Sequence, residues 1–351
     1  MQRLWFAYPG DIDTPTGGYG YDRNIVAGLR ELGWRVELLS LGEGFPFPSA
    51  ATLAGAQRKL LALPKGALVV VDGLALGVMP EAAAAISEHL TLVALVHHPL
   101  CQENGLAEDR EKCLVGERNR SAGTCPAGHR DQPGDGAAGQ RPDRRPGGQD
   151  RRGFFPGTPK PDAFERRPSG TARLLSVGTV VPRKGYDLLL EALAGLADLD
   201  WHLEIVGGLE ADPACYRALL RQAQDLDLAA RVTFRGAVRP ADLAGFYQRA
   251  DIFVLASRYE GYGMAYTEAL AYGLPVIGSG GGAVRETLPK DAAIYCGTGN
   301  VDALQEALKL VICDQAERVR MTDAARIAAA VLPTWQDAAA QFAGMLREVA
   351  E

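Results

Sequence analysis

Two glutamates, Glu260 and Glu268, stand in the stretch EGYGMAYTEALAYGLPVIGSGGGAVRE. Carboxylates so placed either move protons or accept hydrogen bonds from hydroxyls. Upstream, Asp251 to Ala256 (DIFVLA) has the apolar content and length of a buried parallel strand. Met264 to Tyr272 has helical spacing and begins where Gly261 and Gly263 loosen the turn. A strand-to-helix turn in an open parallel sheet lies where ligands bind, and the exposed helix amides favour anionic or hydroxyl-rich groups. Both glutamates are expected to face that crevice. Read as helix, the interval between them spans roughly 12 Å, wider than the about 5 to 9.5 Å that separates paired glycosidase carboxylates. The spacing therefore argues for two separate jobs, one carboxylate taking hydroxyls at one end of a ligand and the other a ribose at the far end. The competing reading makes Glu260 a helix cap and Glu268 a solvated helix residue, and spacing alone leaves both open.

The elements around these residues predict an α/β fold. A strand at Leu4 to Tyr8 leads into PGDIDTPTGGYG, a helix from about Tyr21 to Leu32, and strands at Trp34 to Leu39, Ala67 to Val71 and Leu92 to Val96. Gly17, Gly18 and Gly20 read as a flexible loop whose amides can approach a phosphate. They do not make G-x-G-x-x-G, which disfavours a nicotinamide dehydrogenase. From Leu174 strand and helix alternate cleanly, with strands expected at 174–178, 202–206, 231–235, 251–256 and 274–278. After Pro333 a last amphipathic run carries Trp335, Phe342 and Leu346 at helical spacing.

The E-x7-E spacing, the LPVIGS strand, the GGGAVRE turn and LLSVGTVVPRKGYDLLLEAL at 174–193 together resemble the family 4 glycosyltransferases. That family consists of mostly retaining, nucleotide-sugar-dependent enzymes with the GT-B fold, two Rossmann-like domains facing across a cleft. The resemblance implies an N-terminal acceptor-side domain over 1–165, a donor domain over 170–334, and a helix at 335–351 that packs back on the first domain. It implies that Lys184 contacts the donor diphosphate, a role that suits an ammonium point charge. Many members carry an arginine after the glycine that ends this strand; here Thr179 stands there, and Arg183 is expected to supply the charge. The solvated-loop reading of Arg183 and Lys184 stands beside this. By the same resemblance Glu268 binds the ribose hydroxyls, and Glu260 with the backbone of Gly261, Tyr262, Gly263 and Met264 holds the transferred sugar. The backbone near Arg235 and Gly236 borders the base, and Gly17 and Gly18 lie beside the phosphates. His97, in LVHHPL, contacts the sugar, with His98 as the alternative and an ordinary polar strand end as the rival; His97 and Glu260 are the expected catalytic residues. Glu286 is the weakest carry-over, equally readable as a first-turn glutamate favoured by the helix dipole. The family's favoured course is front-face displacement with retention, with no metal and no cofactor beyond the donor.

Composition sets the outer bounds. The chain has 351 residues, enough for two ordinary domains, and a formal charge of -6, which argues against a general nucleic-acid binder. No run of 18 or more apolar residues occurs, so no transmembrane segment is expected. Met1 leads directly into the first strand, and a cytoplasmic protein is expected. Six cysteines form no C-x-x-C pair and five histidines show no metal-site spacing, so reduced thiols and no structural metal are expected. The expected partners are a nucleotide sugar and an unidentified sugar, lipid or small-molecule acceptor.

One segment breaks the pattern. Residues 116–153 contain no Leu, Ile, Val, Met, Phe, Tyr or Trp and cannot bury a core, so disorder is expected there. The resemblance calls for a helix, a V-T-S-P-x-T strand and turn, and a further helix in that place. Dropping one nucleotide from codons for His129 to Gly136 permits Ile-Val-Thr-Ser-Pro-Ala-Thr-Ala, and the same shift over Ala137 to Gly153 permits a run of ordinary apolar and polar residues. A shifted frame over about 116–153 is thus one reading and a true Arg-rich insertion the other. Taken literally, the chain has a damaged first domain, so a catalytically impaired nucleotide-sugar binder is the first rival to an active transferase. A sugar-nucleotide epimerase is the second.

Overall fold

Short runs of Val, Leu, Ile and Phe form the strands, and parallel pairing buries the central ones on both faces. The computed structural model describes residues 2–97, 155–162, 164 and 170–351. The segment 116–153 and the alternative residue His98 lie outside the described residues. Contacts divide the chain into two compact units, the first built from residues up to 11, from 33 to 154 and from 344 onward, the second from 12–32 and 155–343.

In the first unit, β1 (Arg3–Tyr8), β2 (Arg35–Ser40), β3 (Leu68–Asp72) and β4 (Thr91–Leu95) form a parallel sheet in the order β2-β1-β3-β4. Ala7, Val69 and Val71 pack there with Leu60 and Ile86 from the helices Ala50–Leu61 and Pro80–His89. Strand boundaries fall within two residues of the expected ones, the usual uncertainty at element ends.

The second unit holds six parallel strands. They are β5 (Ala172–Val177), β6 (Trp201–Val206), β7 (Val232–Gly236), β8 (Ile252–Leu255), β10 (Val276–Gly278) and β12 (Ala293–Tyr295), in the order β12-β10-β8-β5-β6-β7. A separate parallel pair joins β9 (Tyr259–Glu260) to β11 (Gly281–Gly282). The core includes Leu174, Leu203, Phe253, Val254, Tyr266 and Ile277, with helices following the strands in sequence.

The glycines read as a flexible loop lie in the first turn of the helix Gly17–Glu31, because the Thr16 side chain accepts a hydrogen bond from Tyr19 N at 3.4 Å and caps the helix well before Tyr21. A cap outweighs the poor helix propensity of glycine at a terminus. The last helix, Trp335–Ala350, belongs to the second unit up to Ala343 and to the first from Gly344. Within the second unit Trp335 meets Tyr21 edge-on at 5.9 Å, and a Cβ on Gly28 would collide with Ala339 Cβ.

Candidate functional site

The loop after β5 places two cations. Pro182 opens a 3-10 turn, Pro182–Lys184, that closes on Gly185 at φ 62. Only glycine fits there, since a side chain would be strained at that φ and its Cβ would collide with the Ala256 carbonyl at the end of β8. Arg258 N donates to Arg183 O at 2.7 Å, which ties this loop to the one after β8. Gly178, at the end of β5, leaves room for the lysine stem: a Cβ there would lie 2.8 Å from Lys184 Cε.

Both cations turn inward to one carboxylate. Lys184 Nζ donates to Glu260 Oε1 at 2.6 Å, and Arg183 donates to Glu260 Oε2 at 3.3 Å and to Tyr259 O at 2.8 Å. Ser257, fully buried, donates to Glu260 Oε1 as well. Burial alone would raise the Glu260 carboxyl, but the Lys184 and Arg183 charges outweigh it and hold the group below its usual range. Burial pulls Lys184 below its ordinary value, and the Glu260 charge opposes that pull. Two cations on one carboxylate, all three side chains largely buried, bring together the charged donors that an anion with several oxygens takes.

Glu260 itself stands on β9, not in a helix. Of the interval from Glu260 to Glu268, only the part from Met264 onward is helical, in the helix Met264–Ala271 that begins after Gly263 at φ 88. The 12 Å estimate for a fully helical interval therefore does not describe this pair. Gly263 caps that helix without any side-chain hydrogen bond, so Glu260 is not the cap either. The glycines of GGGAVRE have a backbone reason: Gly282, at φ 78, pairs so closely with Glu260 that a Cβ would collide with the Glu260 carbonyl.

Glu268, on the Met264–Ala271 helix, accepts from the Tyr247 hydroxyl at 2.7 Å. Burial raises its carboxyl above the ordinary value, and Tyr247 and the Lys184 charge oppose the rise. Tyr262 is partly buried, its hydroxyl raised by burial, and its carbonyl accepts from Thr287 Oγ1 at 2.8 Å. A Cβ on Gly17 would lie 3.3 Å from Met264 Cε, so that glycine reaches the start of the same helix.

Thus Arg183 and Lys184 converge on Glu260, and Gly261, Tyr262, Gly263 and Met264 form the segment from Glu260 toward Glu268, which is held by Tyr247. Gly18 follows Gly17 in the first turn of the Gly17–Glu31 helix. His97 belongs to the first unit, where its Nε2 lies 3.7 Å from Asp72 Oδ2. Arg235 is engaged by Glu204 at 2.7 Å, and Gly236 ends β7 at φ 72. Glu286 lies in the short helix Val284–Thr287. Sequence reasoning missed Ser257 and Tyr247. Ser257 comes just after a buried strand, a legible position, whereas Tyr247 sits among apolar helix residues and reads as core.

Residues 159–328 match the family described as Glycosyl transferases group 1. Mannosylfructose-phosphate synthase of Agrobacterium fabrum is 35% identical over 140 residues, 38% of this chain and 31% of its own length. The GDP-mannose-dependent monoacylated alpha-(1-6)-phosphatidylinositol monomannoside mannosyltransferase of Corynebacterium glutamicum is 31% identical over 194 residues, 52% of this chain and 49% of its own. The chain thus spans at most about half of these curated relatives. Among solved structures, sucrose-phosphate synthase from Thermosynechococcus elongatus aligns with a TM-score of 0.75 at 18% identity, covering 99% of both chains. Anabaena HepE in complex with UDP-glucose aligns with a TM-score of 0.68 at 15% identity, covering 99% of this chain and 100% of its own. By sequence over 159–328, and by an α/β fold of parallel sheets, the chain is similar to the group 1 glycosyltransferases.

Proposed function

We propose that the protein is a glycosyltransferase that moves a sugar from a nucleotide-sugar donor to an acceptor, with the donor held by the second unit. The observation that carries the reading is the convergence of Lys184 and Arg183 on Glu260, with Glu268 in electrostatic reach of Lys184. A nucleoside diphosphate offers groups that suit this arrangement: anionic oxygens that can replace the Glu260 carboxylate on the two cations, and ribose hydroxyls for a carboxylate. The UDP-glucose named with HepE and the GDP-mannose named with the mannosyltransferase are donors of that class.

In this reading Lys184 and Arg183 take the diphosphate and stabilise it as it leaves. Glu260, released from Lys184 as phosphate replaces it, accepts from hydroxyls of the transferred sugar beside the backbone of Gly261 to Met264. Glu268 takes the ribose, and Gly17 and Gly18 lie on the phosphate side. Retention of configuration and the role of His97 toward the sugar rest on the resemblance, and a cytoplasmic setting is the expectation from the apolar pattern of the sequence. Among the described residues no helix is long and apolar enough to cross a membrane.

Titration of the purified chain with UDP, GDP and ADP, followed by thermal shift, tests donor binding, since a ligand of the folded state raises the melting temperature with concentration. No shift with any of the three would remove the reading. A radiolabelled transfer assay on the same preparation separates an active transferase from an impaired binder, which would bind without turnover.

A further inference from the structure

Tyr247 is almost completely buried on the helix Pro240–Arg249, at 2% exposure, yet it carries a polar group to the candidate site. Its ring is stacked on Tyr272 at 5.1 Å with 10° between planes, and faces Phe253 of β8 at 6.1 Å. These two ring contacts leave the side chain little rotational freedom, so its hydroxyl has one direction to point. That direction ends on Glu268 Oε2 at 2.7 Å. Among the described residues Glu268 Oε1 makes no hydrogen bond. A carboxylate with one oxygen held and the other open is a fixed acceptor for hydroxyl groups.

We propose that Tyr247 is a positioning residue: by holding Oε2 of Glu268 it aims Oε1 at the ribose hydroxyls of a nucleoside diphosphate, and so sets the preference for ribose over deoxygenated sugars. The inference rests on the donor reading above. A buried ring could fill the same core space without its hydroxyl, so packing alone does not account for a tyrosine here. Losing the hydroxyl leaves Glu268 with burial and no fixed partner, and its side chain then reorients or takes a proton. Either change removes a charged acceptor from the ribose. The phosphate contacts, made by Lys184 and Arg183, are on another loop and do not depend on it.

The test compares UDP and GDP with their 2′,3′-dideoxy counterparts by calorimetric titration of wild type and Tyr247→Phe. Wild type should bind the ribose form of its preferred nucleotide roughly tenfold or more tightly than the dideoxy form, the scale of a hydrogen bond to a charged group. Y247F should bring the two forms within about threefold while leaving affinity for the dideoxy form unchanged. A wild-type-sized ratio in Y247F would overturn the inference while leaving the donor reading intact. Absence of binding by every nucleotide to the wild type would overturn the donor reading and this inference with it. Should Y247F not fold, Tyr247→4-fluorophenylalanine, which keeps the ring's bulk and lacks the donated proton, carries the same comparison: a collapsed ratio supports the inference and a retained one overturns it.

Discussion

Lys184 Nζ and Glu260 Oε1 stand 2.6 Å apart although 76 positions separate them in the chain. The two loops that carry them leave the carboxyl ends of adjacent strands, β5 and β8, so sheet order makes them neighbours. The lysine expected on a phosphate and the glutamate expected on a sugar satisfy one another here. In the proposed reading, donor binding exchanges that pair for new partners, which would link site occupancy to the electrostatics of the core below.

Replacing Glu260 by Gln should destabilise the chain by about 3 kcal/mol, the scale for removing one member of a buried pair and stranding the other. Urea unfolding measures the loss. The pH dependence has a definite sign. Because the folded carboxyl is depressed, its contribution is full above the ordinary carboxyl range and disappears as pH falls through the lowered folded value. Wild type should therefore lose stability on acidification by a component missing from E260Q. Parallel acid profiles for the two proteins would count against the ion pair.

Lys184→Ala should weaken binding of UDP or GDP by about tenfold or more, from loss of a charge-assisted contact to phosphate. The decisive comparison is with the bare nucleoside, which lacks phosphate and should bind both proteins alike. An equal drop for nucleoside and nucleotide would place the lysine's effect on the fold and not on the anion.

Gly185→Ala puts a side chain at φ 62 and against the Ala256 carbonyl. Left-handed backbone alone costs roughly 1 to 2 kcal/mol, and the collision adds to it. Lower stability should come with weaker nucleotide affinity, because the turn that carries Lys184 must shift. Retained stability in guanidinium titration would show that the loop relaxes freely.

Gly28→Ala sets two effects against each other. Within an isolated helix the change gains about 1 kcal/mol of propensity, but the new Cβ would collide with Ala339 on the last helix. Overpacking costs typically about 1 to 3 kcal/mol, so the sign should be destabilising. A raised melting temperature would mean that the two helices move apart at little cost.

Much of this arrangement is legible in the sequence. The alternation of apolar runs with helical spacing marks the parallel strands, since a strand buried on both faces leaves a continuous apolar run and its crossover helix a periodic one. PRKG between β5 and its following helix marks a cation-bearing turn, and the glutamate pair marks a carboxylate site. Tertiary structure decided the rest. That Glu260 ends on a strand follows from its pairing with Gly282, and that GGYG opens a helix follows from the Thr16 cap. The partners Lys184 with Glu260 and Tyr247 with Glu268 lie 76 and 21 positions apart. Local periodicity records which face a residue presents; which other segment meets that face depends on strand order and loop closure, and those exist only once the sheet has assembled.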